Sequence, residues 1–267
     1  MTLGARLGLI TGESPGSILA GKTSHPFSAS VCIGPGITTA TATDAQREAA
    51  LERSSSLFVN DETALANRVT KGKLLYEARM TEPVAFAESH DDMLETGHWR
   101  MAKGDWDFHD GGLRGAQVQG ENSAIGYLIV PPFKDVIIEF DARVDGASRC
   151  IFRINDVHPT KRSGEHVCRV TVTTDGVVAQ KDDHDHAGPD NAVAFGKIET
   201  LFKPGVWKPI RIQILGSHMV VTVDGQTVQG SHPLIAHEKN NIGFGVTKRS
   251  ASFRNLRMWE ALSPAVL

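Results

Sequence analysis

Cysteine is scarce: Cys32, Cys150 and Cys168 are the only three in 267 residues. An odd and sparse set does not make the disulfide framework of small secreted domains. Cys150 and Cys168 fall on the apolar faces of predicted strands, so both are expected as buried thiols, and a disulfide between them would require those strands to be neighbours. An excess of either charge is also missing, with 28 Lys and Arg against 31 Asp and Glu and a pI near 6.4. The basic residues are scattered among acids, which leaves no positive field for nucleic acid or an anionic membrane surface. No apolar run approaches the roughly 20 residues of a membrane span. The patch Leu7–Ile10 after Arg6 is too short for the apolar core of a secretory signal, so the chain offers no support for secretion and its compartment stays open. No fixed-period repeat is present, which argues against a propeller or solenoid.

What is present is a long run of strand-sized segments. Residues 1–70 are rich in Gly, Ser, Thr, Ala and Pro and are expected to be an extension, flexible or weakly helical over Asp44–Phe58 and Asp61–Val69. Residues 71–262 carry the all-β rhythm, and 263–267 form a tail. Strands are expected at Leu74–Ala78, Trp99–Met101, Trp106–Phe108, Leu113–Gly115 and Ile125–Val130, the last stopped by Pro131-Pro132. The clearest alternation is Val136–Val144, with Val136, Ile138, Phe140, Ala142 and Val144 on one face. Cys150, Phe152 and Ile154 continue it. Further strands follow at Val193–Ile198, Trp207–Leu215, Met219–Val223, Gln226–Val228, Ile242–Val246 and Ser252–Trp259, with a short helix or loop over Ser231–Glu238. At least ten strands with almost no helix imply two antiparallel sheets packed as a sandwich.

The stretch Glu165–His186 joins two such strands to a run of aspartates and histidines. Asp175-Gly176 between β-branched runs predicts a two-residue type I′ turn. That register pairs Arg169 with Asp182, Val170 with Lys181 and Val172 with Ala179, and continued outward it sets His166 opposite Asp185 and Glu165 opposite His186. Imidazoles and carboxylates gathered there could hold one divalent metal ion, calcium or zinc, through Asp183, His184, Asp185 and His186. They could equally run acid–base chemistry, or form only a solvated loop running into Ala187–Asp190. Among outward-facing residues, Asp141, Arg143, Arg153 and Asn155, with Glu139, Arg211 and Gln213, offer the planar hydrogen-bonding groups a sugar needs, and Trp99, Trp106 or Trp207 could supply an aromatic platform.

Several segments in order resemble one family. Trp106–Gly115 (WDFHDGGLRG) is similar to the opening of the 3-keto-disaccharide hydrolase domains, also called DUF1080, and Phe133–Phe140 resembles the family's next strand. Pro204-Gly205-Val206-Trp207, Val223-Asp224-Gly225 and Ser252–Arg257 (SFRNLR) resemble its later elements. The resemblance covers about residues 74–262 and implies a concanavalin A-like jelly roll acting on carbohydrate. The chain departs from the family at Ala147–Arg153, which keeps only the terminal arginine, and at Gly164–Val170, which keeps Gly164 and Glu165 at most.

Three functions follow from this reading. The first is an enzyme cleaving the glycosidic bond of a 3-keto-glycoside, with His166 or His184 as base and a metal or Arg153 polarising the ketone. Ordinary hydrolysis would instead use two facing carboxylates, for which Glu139 and Glu165 are the candidates. The second is a non-catalytic carbohydrate-binding module, and the third a structural or partner-binding sandwich.

Overall fold

Alternation along Val136–Val144 becomes burial: Val136, Ile138, Phe140, Ala142 and Val144 all enter one hydrophobic core. The computed structural model describes residues 69–80, 99–157, 165–184 and 190–263, with the backbone alone of 30–32 and 37–39. The chain divides into two units, Met1–Thr63 and Ala64–Leu267. In the first, β1 (Ser30–Cys32) pairs antiparallel with β2 (Ile37–Thr39). The helices expected over 44–58 and 61–69 fall almost wholly outside the described residues.

Among its described residues the second unit is all-β apart from one 3₁₀ turn. Its strands are β3 (Thr70–Ala78), β4 (Trp99–Lys103), β5 (Asp105–His109), β6 (Gly112–Ala116), β7 (Ala124–Phe133), β8 (Val136–Asp156), β9 (His166–Thr173) and β10 (Gly176–Lys181). β11 (Val193–Glu199), β12 (Lys208–Leu215), β13 (His218–Val223) and β14 (Gln226–Ser231) follow, then a 3₁₀ turn at Pro233–Ala236 and β15 (Lys239–Leu262). Two of these are longer than expected. Val136–Val144 and Cys150–Ile154 are one strand, and Ile242–Val246 and Ser252–Trp259 are another. β7 also runs through Pro131-Pro132 instead of stopping at them. Only its far end pairs there, through Phe133 with Lys239, after a register shift that skips the prolines.

β8 and β15 are shared by two sheets. The front sheet runs β4-β7-β15-β8-β9-β10-β11, using the first half of β15 and the second half of β8. The back sheet uses their other halves and continues through β12, β13 and β14, with β6 and β3 end to end on the far side of β15. Between the sheets, Phe140 stacks on Phe152 with ring centroids 4.3 Å apart, and Phe244 meets Phe152 edge-on at 5.3 Å. This is the jelly-roll sandwich. Cys150 and Cys168 are both buried free thiols. They lie on adjacent strands but out of register, Cys150 opposite Val172 and Cys168 opposite Ile154. Burial pushes each thiol up to about 12.

The β9–β10 hairpin corrects the expected register. Thr173 pairs with Gly176, Val172 with Val177, Val170 with Ala179 and Arg169 with Gln180, so the turn is Thr174-Asp175. Neither Asp175 nor Gly176 has positive φ, unlike Asp110-Gly111 and Asp224-Gly225 at other hairpins. The Thr173 hydroxyl donates to Asp175 Oδ1 at 2.6 Å, which stabilises a turn needing no left-handed residue. Gly176 is required for another reason: a Cβ there would sit 2.5 Å from the carbonyl oxygen of Ile198 on β11. Gly176→Ala should therefore destabilise the domain by about 1–3 kcal/mol in chemical denaturation, the usual cost of overpacking. An unchanged midpoint would show that β10 and β11 have room to part.

Candidate functional site

The register of the front sheet aligns one row of side chains across its outer face. Arg100 on β4 is opposite Tyr127 on β7, Tyr127 opposite Gly243 on β15, and Gly243 opposite Arg153 on β8. Arg153 is opposite Arg169 on β9, which is opposite Gln180 on β10. The inward neighbours Phe152, Val170 and Ala179 alternate with this row, so core burial holds the polar groups outward.

Just past β10, Asp182 is almost fully buried and takes both arginines. Its Oδ2 lies 3.0 Å from Arg153 Nε, and its Oδ1 lies 3.2 Å from Arg169 Nη1. The Arg169–Asp182 contact expected from the hairpin thus exists as a diagonal, not a cross-strand pair. Burial first, and the neighbouring Arg153 after it, pull Arg169 below the usual arginine range while Asp182 opposes them. The Gln180 carboxamide, with its oxygen toward Arg169, accepts from Nη2 at 2.9 Å. Arg153 Nη1 also lies 3.1 Å from His166 Nε2, so the predicted base and the predicted electrophile are neighbours. Tyr127 is shifted up by burial, with Arg153 and Arg100 pulling the other way.

At the end of this row β8, β9 and the segment after β10 converge. His166 N donates to the carbonyl of His184 at 3.0 Å, which brings these two histidines together, while Asp185, the expected partner of His166, lies outside the described residues. His184 Nε2 is 2.7 Å from Asp156 Oδ2, and its Nδ1 is 3.2 Å from Glu165 Oε2. His237, just after the 3₁₀ turn, sets its ring edge-on to His184 at 5.7 Å. Asp156, His184 and His237 each offer a ligand atom within 4.8 Å of the others. Of the expected metal set, Asp185 and His186 lie outside the described residues; among those described, His184 gathers Asp156 and His237 from distant segments, and the Asp183 backbone N–H donates to Asp182. Two buried lysines brace this end. Lys181 Nζ binds Asp190 Oδ1 and the Asn191 carbonyl, and Asp190 Oδ2 accepts from His184 N at 3.3 Å. Lys239 Nζ donates to the carbonyls of Ile235 and His237 at 2.7 and 2.6 Å, and burial lowers it to about 8.

Other sequence candidates fall elsewhere. Asn155 is on the front sheet but fully buried; its Nδ2 donates to Asn241 at 2.9 Å, and its Oδ1 has no partner among the described residues. Glu139, Asp141 and Arg143 are on the back half of β8, away from the Arg153 face. Glu139 binds Lys71 at 2.8 Å, Asp141 accepts from Arg254 and Asn255, and Arg143 donates to Asp145 at 2.6 Å. Glu139 and Glu165 therefore lie on the outer faces of opposite sheets and do not face each other as a hydrolytic pair. Trp99 is buried in the core and cannot be a platform. Trp207 lies under Arg254 and Arg143, with guanidinium carbons 4.2 and 4.9 Å from its ring centroid.

Sequence reasoning missed Tyr127, Arg169, Asp182, Asp156 and His237 as site residues. Arg169 had a signal, as the single charge outward between Cys168 and Val170. His237 had none, since a loop histidine is placed by tertiary contacts alone.

A two-sheet jelly roll whose outer face carries guanidinium, imidazole, phenol and carboxamide groups in one row is a carbohydrate-active type of domain. The chain belongs to the 3-keto-alpha-glucoside-1,2-lyase-like domain family, whose model matches residues 88–258. No curated protein matched the sequence. Among solved structures, the apo Crh5 transglycosylase is similar with a TM-score of 0.51 at 11% identity, over 74% of this chain and 89% of that one. The Bacillus licheniformis beta-glucanase gives 0.50 at 9% identity, over 72% and 100%. A carbohydrate-binding module, CBM66 from Bacillus subtilis, gives 0.48 at 16%, over 62% and 96%. At such identities the likeness is one of fold.

The quoted family motifs build the back sheet and its hairpins. Asp110-Gly111 and Asp224-Gly225 turn with positive φ, Trp207 packs over Gly112, and Phe253 is core. Asn255 holds a left-handed φ of 55° while its amide binds Asp141 at 2.8 Å.

Proposed function

We propose that this domain cleaves the glycosidic bond of a 3-keto-glycoside by elimination, with the sugar on the front-sheet row. The observation that carries the reading is Arg153 and His166 side by side, 3.1 Å apart, on a polar sheet face. A ketone at C3 acidifies the C2–H bond. Arg153 donates to the ketone oxygen and stabilises the enolate that forms as C2 loses its proton. His166 Nε2, exchanging its bond to Arg153 for one to substrate, takes that proton. The electron pair then closes the C1=C2 double bond, the C1–O bond breaks, and the aglycone oxygen leaves and is protonated. Tyr127, a phenol whose pKa burial raises, supplies that proton from the same row. Asp182 holds Arg153 in place.

Asp156, His184 and His237, with Glu165 beside them, form a donor set of imidazoles and carboxylates that suits zinc or another divalent ion. An ion bound there would supply Lewis acidity next to the same row. Without one, the residues still link the end of β8, the start of β9 and the segment after β10.

The test is incubation of the full chain with a panel of 3-keto-glycosides, following aglycone release and enone absorbance, before and after chelation and with metal restored. Release is expected, and dependence on metal should vanish together with bound metal in His184→Ala. Saturable sugar binding without release, from folded and metal-replete protein, would replace the lyase with a non-catalytic binding module.

A further inference from the structure

The outer face of the back sheet carries a cavity of about 500 Å³, lined by Glu139, Asp141, Arg211, Thr222, Asn255 and Arg257. Register builds it: Arg257 on β15 is opposite Glu139 on β8, Glu139 opposite Arg211 on β12, and Arg211 opposite Thr222 on β13. Cation, anion, cation and hydroxyl thus alternate across four strands. The bonds already made leave capacity on the ligand side. Arg254 and Asn255 both reach Asp141 through Oδ2, and Lys71 and Arg211 both reach Glu139 through Oε1. Arg211 Nε is buried and has no hydrogen-bond partner among the described residues. In the next row Trp259 is opposite Ile137, and Lys71 Nζ lies 3.6 Å over the Trp259 ring.

This lining selects a ligand class by elimination. An anion meeting Arg211 would also meet Glu139 and Asp141, and a cation meeting the acids would also meet Arg211 and Arg257. An apolar ligand would strand these groups without water. A hydroxyl both donates and accepts, so vicinal hydroxyls can satisfy a carboxylate and the guanidinium beside it together. We propose that this cavity is a second saccharide-binding site, for neutral sugars, on the sheet opposite the Arg153 row. Bound there, a glycan would tether the domain while the front face stays open.

The test uses maltotetraose and cellotetraose as neutral, non-keto probes, with tetragalacturonate as the anionic control, titrated into the full chain by calorimetry and amide NMR. At least one neutral probe should shift back-sheet signals of β12 and β13. Arg211→Met and Thr222→Val, at half-buried positions on the outer face of the sheet, should each weaken that binding at least tenfold. Arg153→Ala should leave it unchanged, and release from 3-keto-glycosides should be unchanged in Arg211→Met. Loss of all binding in Arg153→Ala would place every sugar on the front sheet and overturn the proposal. So would back-sheet shifts with tetragalacturonate alone, or with no probe at all. Failure of aglycone release by the wild type would refute the lyase reading without touching this one.

Discussion

His166→Ala should abolish release from a 3-keto-glycoside, lowering kcat by about 10²–10⁴-fold, the span of a general base. The fold should survive, because Arg153 keeps its 3.0 Å contact with Asp182 when the imidazole is gone. Sugar binding should persist as well, since the rest of the row is untouched; the loss should appear in kcat with KM little changed. Arg153→Lys is the informative partner variant. It keeps a cation near the ketone but loses the planar fork that spans Asp182 and His166, so activity should fall even where charge is conserved. Full activity in His166→Ala would remove the assigned base and leave the elimination scheme without support.

The second large effect is on stability. Asp182 is 2% exposed in its side chain and neutralises Arg153 and Arg169, which are 22% and 23% exposed. Asp182→Ala leaves two guanidinium groups at opposite positions on adjacent strands with no counter-charge between them, where like charges repel. Breaking a buried pair from one side costs about 3–5 kcal/mol, and the partial exposure of the arginines places the expected loss near the lower end. Chemical denaturation measures it directly. Arg169→Met added to Asp182→Ala should recover part of the loss, a coupling that independent sites would not show. A loss below about 1 kcal/mol would mean that solvent screens the arginines and that Asp182 is not what holds the row together.

The fold was legible because strand periodicity is written locally. Val136 through Val144 declare their faces residue by residue, and the core follows. The register of the β9–β10 hairpin was not legible, because Asp175-Gly176 looks the same whether glycine serves a left-handed turn or a close neighbour. Here the neighbour is Ile198 of β11, which the hairpin sequence does not contain. The candidate site shows the same division. Arg153 follows from alternation on its strand, whereas His166 follows from the hairpin register that the structure corrects, and the two lie 3.1 Å apart. The metal-ligating geometry at His184 depends on Asp156 and on His237, which arrives from a loop far along the chain. The family resemblance could not supply these either, since its quoted motifs mostly shape the back sheet.

The sharing of β8 and β15 by both sheets bears on how the chain acquires its structure. Their ladder runs from Asp156 with Lys239 to Val136 with Glu260, joining segments far apart in the chain. Neither sheet has its central pairing until β15 exists, so the N-terminal strands wait for it with apolar edges open. Closing such long loops first is entropically costly and slows folding. Once closed, the ladder ties both layers into one cooperative unit. Losing it should release front and back sheets together, in a single transition, instead of peeling one layer from the other.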